Sequence, residues 1–302
     1  MTNTPSLPAP GRCVSVAKGV RRILADNPSA FTGPGTNSYL IGHGEVALID
    51  PGPADPAHLK ALLDALAPGE RITHIIVTHP HRDHSALAPA LSNATKAPVL
   101  AFGTCEDGLN PAYATFGDLG GGEGTDHDFI PDIRCRDGEE ISGPGWSLQV
   151  IHTPGHLGSH IALKFGSILF SGDHVMGWSS SIVSPPEGDM GAYMRALERL
   201  LSLDVGLLLP GHGAEVPDGP ARIRELQAHR RLRESQILSA LTRESGSAEE
   251  LARRIYQDLA PGLLPAATRN VLAHLLDLQE RKEISAHPAP SRDAIWKNSS
   301  RN

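Results

Sequence analysis

Six consecutive residues, His79-Pro80-His81-Arg82-Asp83-His84, carry three imidazoles and a carboxylate directly after the apolar run Ile72 to Val77. Histidine makes up 15 of 302 residues, so three in six at the end of a strand-like run demand a chemical reason. Neutral imidazole is the commonest protein ligand of borderline transition metals, and a carboxylate adds a hard anionic donor. A polar surface loop would account for the composition alone. It does not account for a β-type run that stops at Thr78 and delivers four such groups together. Strand ends that feed loops are where α/β proteins place ligand chemistry.

The plan recurs downstream. Val150-Ile151-His152-Thr153-Pro154-Gly155-His156 runs a strand into a Pro-Gly turn that ends in histidine. Ser167 to Phe170 is an apolar strand followed by Ser171-Gly172-Asp173-His174, and Val205 to Leu209 leads into Pro210-Gly211-His212-Gly213. A single histidine after a turn is ordinarily structural or solvated. Four strand exits, each presenting His or Asp, are a constellation, and seven groups suffice for two metal ions that share one carboxylate.

On these residues the sequence resembles the metallo-β-lactamase superfamily. The matching motifs are Thr78-His79-x-His81-x-Asp83-His84, then His156, Asp173 and His212, with Gly35-Thr36-Asn37-Ser38 and Ile49-Asp50-Pro51-Gly52 as earlier marks. The resemblance implies that His79, His81 and His156 hold one ion, that Asp83, His84 and His212 hold a second, and that Asp173 bridges them. It implies an αββα sandwich, where periodicity alone says only α/β. The part after Pro217 is similar to the winged helix of the β-lactamase-like protein 2 group. The expected organisation is a flexible stretch 1–13, a catalytic domain 14–217 and a winged-helix-like domain 218–302.

Such a donor set suits two Zn(II) ions per chain, and Fe or Mn is accepted by the same carboxylates and imidazoles. Structural zinc sites are closed by four ligands, often thiolates, and no cysteine lies in these motifs. The expected activity is therefore hydrolysis by a metal-bound hydroxide. Asp83 is the catalytic candidate, a ligand that also orients the nucleophile. Asp50, at a strand end, is expected to fix a ligand imidazole. His160 and His174 are candidates for a hydrogen bond to a ligand, for proton donation or for substrate contact.

Cys13, Cys105 and Cys135 are odd in number and scattered, which reads as reduced thiols in the cytoplasm. The N-terminal residues lack the apolar core of a signal peptide. No run approaches the roughly 18 apolar residues of a membrane span. The net charge of −7 divides unevenly. Residues 1–219 hold 13 Lys and Arg against 24 Asp and Glu, a balance of −11, and residues 220–302 hold 14 against 10, a balance of +4.

Spacing predicts strands at 14–17, 21–25, 38–41, 46–50, 72–77, 98–102, 147–152, 160–165, 167–170 and 205–209. Helices are predicted at 55–66, where Asp55-Pro56 reads as cap and first residue, near 86–91, and at 192–203. In the tail they are predicted at 220–241, from the capping box Ser247-Ala248-Glu249-Glu250 to Leu259, and at 266–280. A hairpin is expected within 284–297. Gly103 to Pro131 is an acidic, glycine-rich connection without Lys or Arg, either a lid or a solvated excursion.

The tail is expected to pack or to form a homodimer, with RNA contact through Arg222, Arg224, Arg230, Arg231 and Arg233 as the alternative. An acidic lobe repels polyanions, so the favoured substrate is a small acyl compound: an ester, thioester or lactam. A single-strand-specific endoribonuclease is the alternative enzyme. A winged-helix regulator that binds metal without turnover is the alternative outside enzymology.

Overall fold

The structure is a computed structural model that describes residues 8–299; of the stretch expected to be flexible, residues 1–7 lie outside the described residues. The first sheet runs in chain order: β1 (Cys13–Ala17), β2 (Val20–Leu24), β3 (Asn37–Ile41), β4 (Glu45–Ile49), β5 (Arg71–Ile76), β6 (Val99–Ala101) and β7 (Ile133–Arg134). Strands β1 to β4 pair antiparallel, and β4 to β7 pair parallel. Helices α1 (Pro56–Asp64), α2 (Arg82–Ser85) and α3 (Ala88–Thr95) lie in the crossovers. The second sheet contains β8 (Glu140–Gly143), β9 (Trp146–His152), β10 (Ile161–Phe165), β11 (Ile168–Gly172) and β12 (Leu207–Pro210). Its order is β12-β11-β10-β9-β8, with β12 parallel to β11 after helix α4 (Met190–Leu201).

Alternate side chains of the strands go to different cores. Tyr39, Ile41, Ala47 and Ile49 of the first sheet meet Leu148, Val150, Leu163 and Phe170 of the second. Leu40, Val46 and Leu48 point the other way, towards Leu62 of α1 and Leu91 of α3. On the far face of the second sheet, Ile151, Ala162, Leu169 and Leu208 pack on Tyr193, Leu197 and Leu200 of α4. This is an αββα sandwich. Cover on both faces is why β4, β11 and β12 read as nearly continuous apolar runs rather than alternating ones.

Two local expectations shift. The helix expected near 86–91 is two helices, because the turn at Arg82–Ser85 starts inside the histidine motif and α3 begins beyond Leu87, with proline in its first turn. Strands β7 and β8 escaped notice, being a two-residue edge and a half-polar Glu-Ile-Ser-Gly.

The tail contains α5 (Gly219–Arg243), α6 (Ala248–Ile255), α7 (Leu264–Glu280) and the antiparallel hairpin β13 (Ile284–His287) with β14 (Ile295–Asn298). The capping box at Ser247 forms, and α6 stops at Ile255 instead of Leu259. Helix α5 joins the two lobes: Ile223 and Leu226 sit in the core beside α4, while Ile237 and Leu241 sit in the tail core with Leu272, Leu275, Leu276, Leu278 and Trp296. Tyr113 and Leu119, from the long segment 103–131, enter that same core. The apolar face of α7 thus finds its cover within the chain, and 103–131 is tied down rather than a free excursion. Arg230, expected among residues available to RNA, is 1% exposed and hence cannot meet a phosphate. No helix among the described residues is long and apolar enough to cross a membrane.

Trp296 is fully buried, and its backbone pairs with Gly246 in both directions at 2.9 and 3.1 Å. Trp296→Ala should cost about 3–5 kcal/mol of unfolding free energy, read by chemical denaturation. A loss below about 1 kcal/mol would show that this side chain does not anchor the tail core.

Candidate metal centre

Strands β4 and β5 run parallel, as do β11 and β12, so each pair ends on one edge of its sheet. Asp50 follows β4, the histidine motif follows β5, Asp173 follows β11 and His212 follows β12. His156 comes from the turn between β9 and β10. Two glycines permit this convergence. A Cβ on Gly211 would lie 2.5 Å from Asp173 Oδ1 and 2.6 Å from His84 Cε1. Gly172, at φ +48°, would place one 2.6 Å from His160 Nε2.

The hydrogen bonds at the outer nitrogen of four rings set which nitrogen faces inward. Asp50, buried and at φ +51°, accepts from Thr78 N at 2.8 Å, Thr78 Oγ1 at 2.9 Å and His84 Nδ1 at 2.9 Å. Because Thr78 gives its hydroxyl proton to Asp50, its oxygen is left to accept from His79 Nδ1 at 3.0 Å. His156 Nδ1 meets Ile182 O at 2.6 Å, and His212 Nδ1 meets Gly35 O at 3.1 Å. A carbonyl oxygen can only accept, so those nitrogens carry the protons. His79, His84, His156 and His212 all therefore present an unprotonated Nε2 in their neutral forms.

These nitrogens gather into two groups. His79 Nε2 and His156 Nε2 lie 3.0 and 3.1 Å from His81 Nδ1. His84 Nε2 and His212 Nε2 are 3.3 Å apart, with Asp83 Oδ2 at 3.5 and 3.2 Å from them. Asp173 stands between the groups, 3.3 Å from His212, 3.5 Å from His84, 3.8 Å from His156 and 4.0 Å from His79. Tetrahedral zinc with bonds of about 2.0–2.1 Å holds neighbouring nitrogens about 3.4 Å apart, so the spacing fits a divalent cation in each group. Asp173 Oδ1 is buried with no hydrogen-bond partner, an atom that a cation would satisfy. His/Asp groups able to bind metal ions are thus present.

Charge divides the groups. Burial, and then the neighbouring imidazoles, keep His79 well below the usual histidine range; burial and then His156 push His81 down to about 3. Burial also opposes protonation of His84 and His212. At His84 the carboxylates of Asp83, Asp173 and Asp50 outweigh it and hold the ring well above its ordinary value. At His212 Asp173 and Asp83 outweigh it, raising the value to about 9. Burial likewise works against ionised Asp173, yet His212 and His84 keep its carboxyl well below the usual carboxylate range. Protons on His84 and His212 thus neutralise acids that a bound cation would neutralise instead.

The other histidine candidates lie behind the ligands. His160 bonds Thr153 Oγ1 at 2.7 Å through Nδ1 and accepts from Asp173 N at 3.2 Å, so it braces that residue's backbone. His174 packs on Tyr193, ring centroids 4.5 Å apart, and neither of its nitrogens has a hydrogen-bond partner. Neither ring lines the cavity. Sequence reasoning missed Thr36, whose hydroxyl donates to Asp83 Oδ2 at 3.1 Å, and Ile182, whose carbonyl orients His156. It also missed the cavity above the ligands. That space of about 630 Å³ is walled by Phe31, Leu157, Met176, Trp178, Ile182 and, from the tail, Pro265 and Ala266.

Reconstituted protein should hold up to two transition-metal ions per chain by elemental analysis, and His84→Ala about one. Metal binding that survived loss of the histidines but not of the cysteines would contradict this arrangement.

The sequence profile described as Metallo-beta-lactamase superfamily matches residues 31–212, and that of the Beta-lactamase associated winged helix domain matches residues 247–296. The chain is 31% identical to the Beta-lactamase-like protein 2 homolog of Drosophila melanogaster, over 92% of both chains. It is 34% identical to the lactamase-like protein adaB of Aspergillus niger, over 80% of this chain and 68% of that one. Among solved structures, a beta-lactamase domain protein from Burkholderia ambifaria shares the fold with a TM-score of 0.79 at 24% identity, covering 97% of this chain and 95% of that one. Motifs, fold and similarities agree: the chain belongs to the metallo-beta-lactamase superfamily, with a C-terminal beta-lactamase-associated winged helix domain.

Proposed function

We propose that this protein is a metal-dependent hydrolase of small acyl compounds, an ester, thioester or lactam, with residues 14–217 as its catalytic domain and 218–302 as its winged-helix domain. One observation carries the reading: convergent ligand atoms form the floor of a cavity whose walls are largely apolar. His79, His81 and His156 would hold one ion and Asp83, His84 and His212 a second, with Asp173 shared. These imidazole and carboxylate donors suit zinc and also accept iron or manganese. When bound, the ions would polarise a carbonyl and lower the pKa of coordinated water from 15.7 to about 7.

The chain's own residues do the rest. Asp83 is the more exposed of the two carboxylates, 28% against 10% for Asp173. Thr36 fixes one of its oxygens, which fits it to accept a proton from the attacking water and pass it to the leaving group. Phe31, Met176 and Trp178 would bury the acyl body and exclude bulk water. Among the described lining residues Arg269 is the one Lys or Arg, and its donors are engaged by Ser184, Leu119 and Pro185. A phosphate backbone draws mainly on Lys and Arg contacts, so this cavity suits an acyl group better. We assign the protein to the cytoplasm on its three scattered cysteines.

The test is a panel of esters, thioesters, lactams and single-stranded RNA with metal-loaded protein. Hydrolysis should appear on an acyl substrate, and Asp83→Ala should lower turnover by about 10²–10⁴ while leaving the melting temperature near wild type. Salt-sensitive RNA cleavage that depends on His212, with no acyl turnover, would overturn the substrate assignment.

A further inference from the structure

Between the metal centre and the tail runs a strap of irregular backbone, residues 181–185. Burial alternates along it: Ser181, Val183 and Pro185 are buried, while Ile182 and Ser184 line the cavity. On its inner side the strap holds two ligand residues. Ile182 O accepts from His156 Nδ1 at 2.6 Å, and Ser181 Oγ donates to the backbone oxygens of Asp173 and, at 3.0 Å, of His174. On its outer side the tail holds the strap. Arg230 of α5 donates to Ser181 O, and Asn270 Oδ1 of α7 accepts from Val183 N at 3.0 Å and from Arg230 at 3.1 Å. Arg269 of α7 donates to Ser184 Oγ at 2.8 Å and to Pro185 O.

This arrangement is costly. Arg230 is buried, forms no ion pair with a carboxylate among the described residues, and lies over the Tyr193 ring, 5.2 Å to the centroid. Burying a guanidinium without a counter-charge is unfavourable unless its hydrogen bonds are met. Here Nη2 is met by the strap at Ser181 O and Nη1 by the asparagine that also holds it, while Nε has no partner among the described residues. The strap has no strand ladder of its own, so the position of the Ile182 carbonyl depends on these contacts. A ligand histidine is oriented by the acceptor at its other nitrogen, and losing such an outer partner typically costs about 10–100-fold in metal affinity.

We propose that Arg230, Asn270 and Arg269 are positioning residues for the metal centre: through strap 181–185 the winged-helix domain sets the orientation of His156 and thereby the metal affinity of the three-histidine group. The proposal rests on the ligand assignment made above. Its role for the tail is internal and requires no nucleic acid.

The test uses the full chain in the His84→Ala background, in which the three-histidine group is the one left complete. Zinc affinity is measured by competition with a chromophoric chelator, and hydrogen exchange at the Val183 amide is followed in metal-free protein. Adding Asn270→Ala should weaken zinc binding about 10–100-fold and speed Val183 exchange. Asn270→Asp, which keeps an acceptor, should preserve both. Leu275→Val, a truncation in the tail core away from the strap, should change neither. Should Asn270→Ala not fold, Arg269→Met gives the same readouts. Unchanged affinity in a cooperatively folded Asn270→Ala, or an equal loss in Leu275→Val, overturns the proposal. If the starting protein binds no zinc, the ligand assignment fails by itself, and unchanged Val183 exchange then overturns the strap as well.

Discussion

A buried carboxylate, Asp50, accepts three hydrogen bonds from the segment that follows the neighbouring strand. Two of these come from Thr78, at the end of β5, and the third from His84, one turn further on. They fix the hydroxyl of Thr78, whose oxygen then accepts a hydrogen bond from His79 Nδ1. One anion thereby sets two rings that belong to different ligand groups. The left-handed backbone of Asp50 aims its side chain at this segment, and the parallel register of β4 and β5 brings the segment within reach. Take this carboxylate away and His84 loses its orienting acceptor while a backbone N–H is left buried, a cost of about 1–3 kcal/mol for the amide alone.

The sequence made the chemistry legible because its donors cluster at strand exits. His79, His81, Asp83, His84, His156, Asp173 and His212 all reach one site, and Asp50 meets His84 as its place at a strand end suggested. What escaped were partners supplied by the backbone. Gly35 O and Ile182 O orient His212 and His156, but a carbonyl carries no residue-specific signal, and its partner lies 177 or 26 positions away. His160 and His174 lie close to these exits in sequence, yet neither ring lines the cavity. Their tertiary contacts differ from those of the ligands: His160 bonds Thr153 and the Asp173 amide, and His174 packs on Tyr193.

Secondary structure was readable for a similar reason. Apolar runs gave strands such as β4, β11 and β12, whereas the marginal strands β7 and β8 lack such runs. The boundaries of α2 and α3 depend on how the motif turns, which is a tertiary matter.

Charge divides between an acidic lobe and a basic tail. Its structural use is largely internal. Within the tail, Arg253 pairs with Glu249, Arg254 with Glu244, and Arg281 with Glu234, Asp277 and Glu283. Across the lobes, Arg292 meets Asp118 and Arg269 approaches Glu123. The acidic segment 103–131 and the basic tail thus face each other, and the surplus of +4 is partly answered before any ligand arrives. Exposed pairs of this kind contribute no more than about 1 kcal/mol each, so they do not hold the tail in place. Burial of Tyr113 and Leu119 in the tail core, and of Ile223, Leu226 and Ala273 beside α4, does that. The charges instead select which surface docks, since a like-charged segment would be repelled from the same apolar seat. A net charge summed along a chain therefore speaks to partners only after the pairs that the fold makes within itself have been removed.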